Sequence, residues 1–230
     1  MTRAAWAVVL AATGLAMVMG TGCELRKGEP AAPTAAVSDL VRPDKKPDPL
    51  NEQQFVVSWN LLGPFTFKEK DFAGEHQQAS ADHEFMKNEG KLDGTQPAPT
   101  GTKWQATVFK GSAQTGQVDL DAHFGGPEYA AAYAVAWLNS PEEIKDAVIH
   151  VGSDDYIKVW VNGKLVHTYK TERRASDPDQ DNITGITLKK GLNRIVVKCV
   201  DVVLAWDFYF RVADSQDKPL LAVPCAAAAK

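Results

Sequence analysis

The chain has 230 residues, 44% of them hydrophobic and 23% charged, with a formal net charge of −4. That length can bury one sizeable core with segments to spare. The mild acidity argues against a nucleic-acid partner, because phosphate binding needs a basic field, and it disfavours anionic lipid and anionic polysaccharide for the same reason.

The N-terminus carries Arg3, an apolar run from Ala4 to Met19, and then Gly20, Thr21 and Gly22 directly before Cys23. The run is short for a membrane span and ends in small residues, which is the plan of an export signal over residues 1–22. The small-small-Cys ending resembles the lipobox of bacterial lipoproteins, although Gly20 stands where that family usually has Leu. The resemblance implies that Cys23 is lipidated, becomes the first residue of the mature chain and anchors it in the bacterial cell envelope. The alternative is an ordinary cleaved secretory signal, and either route ends outside the cytoplasm. Residues 23–50 then turn to Pro, Ala and charge, as in Glu29-Pro-Ala-Ala-Pro-Thr34 and Arg42-Pro-Asp-Lys-Lys-Pro-Asp-Pro49. Such a segment has too little apolar area to offset its ordering entropy and reads as a disordered tether.

Residues 51–221 carry strand signals at short, regular spacing, and residues 222–230 read as a flexible tail. The candidates are Phe55 to Leu62, Lys103 to Phe109, Val118 to His123, Ala130 to Leu138, Asp146 to Val151, Tyr156 to Val161, Lys164 to Tyr169, Asn182 to Leu188, Asn193 to Val200 and Trp206 to Val212. Gly63-Pro64, Gly125-Gly126-Pro127, Asn162-Gly163, Asp177-Pro178 and Lys190-Gly191 punctuate them. Helical periodicity is weak: Asp82 to Gly90 is the best candidate and Ser140-Pro-Glu-Glu-Ile a single turn. The expected fold is therefore all-β, an antiparallel two-sheet sandwich. In Arg194 to Val200 the odd positions Ile195, Val197 and Cys199 share one face, which places Cys199 in the core. A bridge from Cys199 to Cys225 would need the tail to reach that core.

Gly152-Ser-Asp-Asp-Tyr-Ile-Lys-Val-Trp-Val-Asn-Gly-Lys-Leu-Val-His167 encodes a strand, an Asn-Gly turn and a returning strand, and Leu188-Lys-Lys-Gly-Leu-Asn-Arg-Ile-Val-Val-Lys198 launches another. This wording resembles the galactose-binding-like jelly rolls of secreted bacterial glycosidases and surface proteins, such as the sugar-binding domain of glycoside hydrolase family 2. Val57-Ser-Trp-Asn-Leu-Leu-Gly-Pro-Phe65, Ala130-Ala-Ala-Tyr-Ala-Val-Ala-Trp137, Pro178-Asp-Gln-Asp181 and Trp206-Asp-Phe-Tyr-Phe-Arg211 continue the likeness in order. Residues 67–101 follow no pattern of that family. The resemblance implies a jelly roll that binds a glycan or a surface protein without catalysis.

Candidate chemistry is sparse. Asp154 and Asp155 are a carboxylate pair of the kind glycoside hydrolysis needs, but neighbours in an extended strand point to opposite faces, so turn-making is the expected role. The run Asp177-Pro-Asp-Gln-Asp-Asn182 offers oxygen ligands for a structural calcium, yet departs from the EF-hand pattern and reads as a solvated acidic loop. His76 and His83 lack a third ligand, His123, His150 and His167 sit singly in strands, and no Gly-x-Ser-x-Gly or Gly-rich phosphate loop occurs. In Tyr156 to Asn162 the residues Ile157, Val159 and Val161 face one way, so Trp160 shares its face with Lys158 and Asn162. Trp160 either stacks on a sugar that Lys158 and Asn162 hydrogen-bond, or packs under the 67–101 segment or against Trp59. No catalytic group or metal ligand is expected, and three readings follow: a glycan-binding module, an assembly protein that docks a partner, or a hydrolase with an unrecognised carboxylate pair.

Overall fold

The structure is a computed structural model that describes residues 55–72, 77–109, 116–218, 220 and 223–225. The expected signal, Cys23, the tether, His76 and the end of the tail lie outside the described residues. Eleven strands occur among them: β1 (Ser58–Thr66), β2 (Lys103–Val108), β3 (Val118–Asp119), β4 (Ala130–Ser140), β5 (Ile144–Asp154), β6 (Tyr156–Val161), β7 (Lys164–Tyr169), β8 (Asp181–Leu188), β9 (Gly191–Asp201), β10 (Asp207–Ala213) and β11 (Val223–Cys225). They form two antiparallel sheets. One runs β2-β1-β4-β9-β6-β7, with β11 also paired to β4, and the other runs β3-β10-β5-β8.

The sheets pack face to face because each strand alternates. Trp59 and Leu61, the even residues from Ala130 to Leu138, Ile157, Val159 and Val161, and Ile195, Val197 and Cys199 meet Val151, Ile149, Phe208, Phe210 and Leu188 in one buried cluster. Each of these side chains leaves water for apolar contact, the main favourable contribution to folding. This is the expected two-sheet sandwich, with Cys199 in its core. Cys225 sits opposite Trp137 on one side of β4, whereas Cys199 sits opposite Ala132 on the other. Five residues of β4 and two strand spacings therefore separate the two cysteines, roughly 17 Å along the strand and 10 Å across it, too far for a disulfide.

Three local expectations are corrected. Val118 to His123 is not one strand: after β3 the chain forms α2 (Leu120–Phe124), because the Asp119 side chain accepts from the Ala122 amide as an N-cap and Gly125 closes the turn at φ 83. Asp82 to Gly90 is not a helix either. A short α1 (Ala79–Asp82) ends at His83, and a 3-10 turn follows at Glu89–Lys91. Ser140 to Ile144 forms no helical turn.

The described residues of the 67–101 segment lie across the outer face of the larger sheet. Met86 and Leu92 cover Leu62, Tyr133, Val135, Trp160 and Val196, and Ala81 joins Ala131, Tyr156, Val200 and Val202. One buried polar cluster ties it down. Lys198, with no exposed surface, donates from Nζ to Glu89 Oε1 at 2.9 Å, to the Ala81 carbonyl at 2.9 Å and to the His83 carbonyl. The Tyr133 hydroxyl donates to the same Glu89 oxygen at 2.6 Å and accepts from the Met86 amide at 3.2 Å.

Candidate functional site

Other parts of the chain surround the expected contact trio. Trp160 is 7% exposed and packs beneath Met86 and Leu92, so its ring presents no open face to a ligand. Lys158 pairs with Asp82 at 2.9 Å, holding the 67–101 segment in place. Asn162 turns the β6–β7 hairpin, donating to Asn193 Oδ1 at 2.9 Å and accepting from the Arg194 amide at 3.0 Å. β6 alternates as its pattern predicts; what covers its outer face is not written in that pattern.

A candidate site lies elsewhere, at one end of the sandwich. A cavity of ≈ 230 Å³ is lined by Asp154, Asp155, Arg173, Arg174, Ala175, Val203 and Leu204. The Asp154–Asp155 peptide is cis, and both carboxylates line this one cavity, against the expectation that they point apart. Asp155 is 1% exposed; its Oδ2 accepts from the Val202 amide at 2.9 Å, and Arg173 Nε lies 3.4 Å from its Oδ1. Arg173 also donates to the Val203 carbonyl at 2.8 Å.

Two loops form the walls. The first, residues 170–180, runs from β7 to β8. Arg174 fixes it by donating to both Asp181 oxygens at 3.1 and 2.6 Å and to the Ser153 carbonyl and hydroxyl at 3.2 and 3.0 Å, while its guanidinium lies 3.5 Å over the Tyr169 ring. The loop comes so close to β5 that a Cβ at Gly152 would stand 1.8 Å from the Asp177 carbonyl oxygen, so only glycine permits this wall. The second loop, residues 202–206, is pinned at three consecutive positions. Val202 bonds Asp155 and the Tyr129 amide, Val203 bonds Arg173, and the Leu204 amide donates to Glu128 at 3.4 Å. Leu204 is left 77% exposed, with a left-handed backbone at φ 83.

The site is acidic beyond its lining. Asp207 lies opposite both Asp154 and Asp119 in the sheet register, so three carboxylates form a row across β5, β10 and β3. Burial, reinforced by the Asp155 and Asp207 charges, pushes Asp154 up to about 7. Burial likewise raises Asp155, against the Val202 amide bond and the Arg173 charge, and raises Asp207, against hydrogen bonds from Ser176 and Gln117. Asp201 is pushed up to about 8 by burial, then by Asp155 and Glu128, and its buried Oδ1 has no hydrogen-bond partner among the described residues. Among those residues no three carboxylate, imidazole or thiol groups converge as a metal site. The Asp177–Asn182 loop holds two of its three acids in ion pairs, Asp179 with Arg211 at 2.7 Å and Asp181 with Arg174, so those oxygens are engaged by cations already. His150 lies between Asn182 and Asp217, and His167 lies beside Asp181.

The two arginines of this site do not stand out in the sequence. The signal for them is Arg173-Arg174 in the loop just before the acid-rich Asp177–Asn182 run, a pairing of charges that cross the turn.

No family model matches the chain, and no curated protein does. Among solved structures it is similar to a PA14 sugar-binding domain from an RTX adhesin, at 12% identity and a TM-score of 0.45, over 76% of this chain and all of that one. It is also similar to a GH31 α-xylosidase from Xanthomonas citri, at 13% identity and a TM-score of 0.32, over 55% of this chain and 16% of the enzyme. Both likenesses are distant.

Proposed function

We propose that the protein is a non-catalytic glycan-binding module of the bacterial cell envelope, and that its site is the Asp154–Asp155–Arg173 cavity. The observation that carries this reading is the meeting of carboxylates, a guanidinium and the exposed Leu204 around one small cavity. A sugar ring has that same division of surfaces. Its hydroxyls donate to Asp154 and accept from Arg173, which the buried Asp155 holds in place, while a C–H face lies against Val203 and Leu204. Both loops are held by hydrogen bonds before any ligand arrives, which lowers the ordering cost of binding.

A glycan array probed with the full chain, followed by calorimetry on the best ligand, tests the site. Arg173→Gln, which removes the half-exposed guanidinium from the cavity, is expected to weaken binding roughly tenfold or more, in line with loss of a charge-assisted hydrogen bond. A folded protein that binds no glycan would overturn the reading and favour partner docking instead. The raised Asp154 carboxyl favours one further reading, a glycosidase with Asp154 as general acid. It ranks second because both acids come from adjacent residues on one wall, whereas hydrolysis needs groups flanking the scissile bond. Glycan hydrolysis abolished by Asp154→Asn would promote it.

Lipid anchoring at Cys23 belongs to the same proposal and is supported by the Gly20-Thr21-Gly22-Cys23 ending of the apolar run. In detergent partitioning the wild type is expected in the detergent phase and Cys23→Ser in the aqueous phase. Equal partitioning would remove the anchor.

A further inference from the structure

We infer that the glycan site continues from the cavity onto an aromatic shelf made by Tyr129 and Phe67, and that the ligand is a neutral oligosaccharide of at least two sugar rings. This rests on the glycan reading of the cavity and adds a second subsite to it.

The shelf is a run of half-buried rings outside the core between the sheets. Tyr129 and Phe67 meet edge to face with centroids 6.1 Å apart, Phe72 meets Phe67 at 4.9 Å, and the exposed His83 meets Phe72 at 5.1 Å. The rings join the cavity without a break. Val203, which lines the cavity, packs in the same apolar cluster as Tyr129 and Phe67. Arg173, another cavity residue, lies within electrostatic reach of the Tyr129 hydroxyl.

Tyr129 is also held in position. Its amide donates to the Val202 carbonyl at 3.0 Å and its carbonyl accepts from the Phe67 amide at 2.8 Å, so one residue ties the cavity loop to the shelf. Its backbone is left-handed at φ 54, a conformation that costs a non-glycine residue energy and persists only where the surroundings impose it. A rigid aromatic ring beside a polyol site suits the C–H face of a pyranose ring, because the aromatic ring's electron-rich face attracts the polarised C–H groups.

The surrounding charges select the occupant. Asp154 and Asp155 line the cavity and Glu128 accepts from the Leu204 amide at its rim, so carboxylates stand along the path from cavity to shelf, with Glu69 and Asp201 acting on the Tyr129 hydroxyl. Carboxylates accept from sugar hydroxyls and repel uronic or sialic acids. An apolar peptide would leave those acids desolvated without partners. A neutral glycan whose first sugar occupies the cavity and whose second crosses Val203 onto Tyr129 satisfies both surfaces.

The test is calorimetry of the full chain with the best array ligand supplied as monosaccharide, disaccharide and longer oligomer, for wild type, Tyr129→Ala and Tyr129→Phe. For the wild type the disaccharide is expected to bind roughly tenfold tighter than the monosaccharide, the scale of one aromatic contact with its hydrogen bonds. Tyr129→Ala should remove that gain, so that mono- and disaccharide bind the variant alike, while Tyr129→Phe retains most of it. Equal mono- and disaccharide affinities in the wild type would overturn the shelf and leave the cavity standing, even if Tyr129→Ala fails to fold. Equal weakening of both ligands by Tyr129→Ala would do the same. A wild type that binds no sugar of any length overturns the cavity and the shelf together.

Discussion

Lys198→Met is expected to destabilise the folded protein by about 3–5 kcal/mol, the cost of removing one partner from a buried ion pair. The ammonium is fully buried and Glu89 is 6% exposed, so nothing replaces the lost charge around the Glu89 carboxylate. The carbonyls of Ala81 and His83 lose their donor as well. Adding Glu89→Gln should recover part of the loss, since a neutral amide at 89 no longer leaves a buried charge alone; the two carbonyls keep the recovery incomplete. Because these contacts hold the 67–101 segment, unfolding followed by tryptophan fluorescence should report Trp160 becoming exposed at lower denaturant in Lys198→Met. A further loss on adding Glu89→Gln, in place of a recovery, would show that the carboxylate is not left uncompensated and would refute this account.

That segment marks where the sequence stops being informative. Within strands, alternation is enough: Ile157, Val159 and Val161 face the core, Trp160 faces the other way, and Cys199 is buried as its parity requires. Period-two patterns state which side a residue takes, because the backbone geometry makes neighbours alternate. They do not state what lies on that side. The 67–101 segment is fixed by Lys198 and Tyr133, which follow it by 44 to 117 residues, and has little periodicity of its own. The cavity is hidden for a related reason. Asp154 and Asp155 are visible, but extended-strand geometry sends them to opposite faces, and residue types do not announce a cis bond between two aspartates. Asp119 as a cap with Gly125 six residues later is a legible helix signal, masked by the alternation of Val118 and Leu120.

The melting temperature is expected to fall as pH rises from about 5 to about 8. Asp154 and Asp201 bind their protons up to about 7 and about 8 in the folded chain, whereas unfolded aspartates release theirs near ~4. Between those values the folded state holds protons that the unfolded state has lost, so stability declines with rising pH. The contribution is complete below ~4 and gone above the folded values. Raised Asp155 and Asp207 act in the same direction, and Asp119, Asp121 and Glu128 add negative charge around the cluster. Asp181 and Asp82 act oppositely. Burial raises Asp181, but hydrogen bonds from His167 and Arg174 outweigh it and hold the group well below the usual range; Asp82 is lowered first by its bond from Lys170. Their stabilisation is present above ~4 and disappears in stronger acid, so the stability maximum lies on the acid side of neutrality. Each tenfold difference in proton affinity between the folded and unfolded chain is worth about 1.4 kcal/mol, so the decline amounts to a few kcal/mol and several degrees in Tm. Asp201→Asn mimics the protonated group and should leave Tm unchanged at pH 5 while raising it at pH 8. A flat profile from pH 5 to 8, or an equal effect of Asp201→Asn at both ends, contradicts the assignment. Affinity for a glycan should run the other way, because an ionised Asp154 is the stronger acceptor for a sugar hydroxyl. The site gains binding strength over the same interval in which the fold around it loses stability.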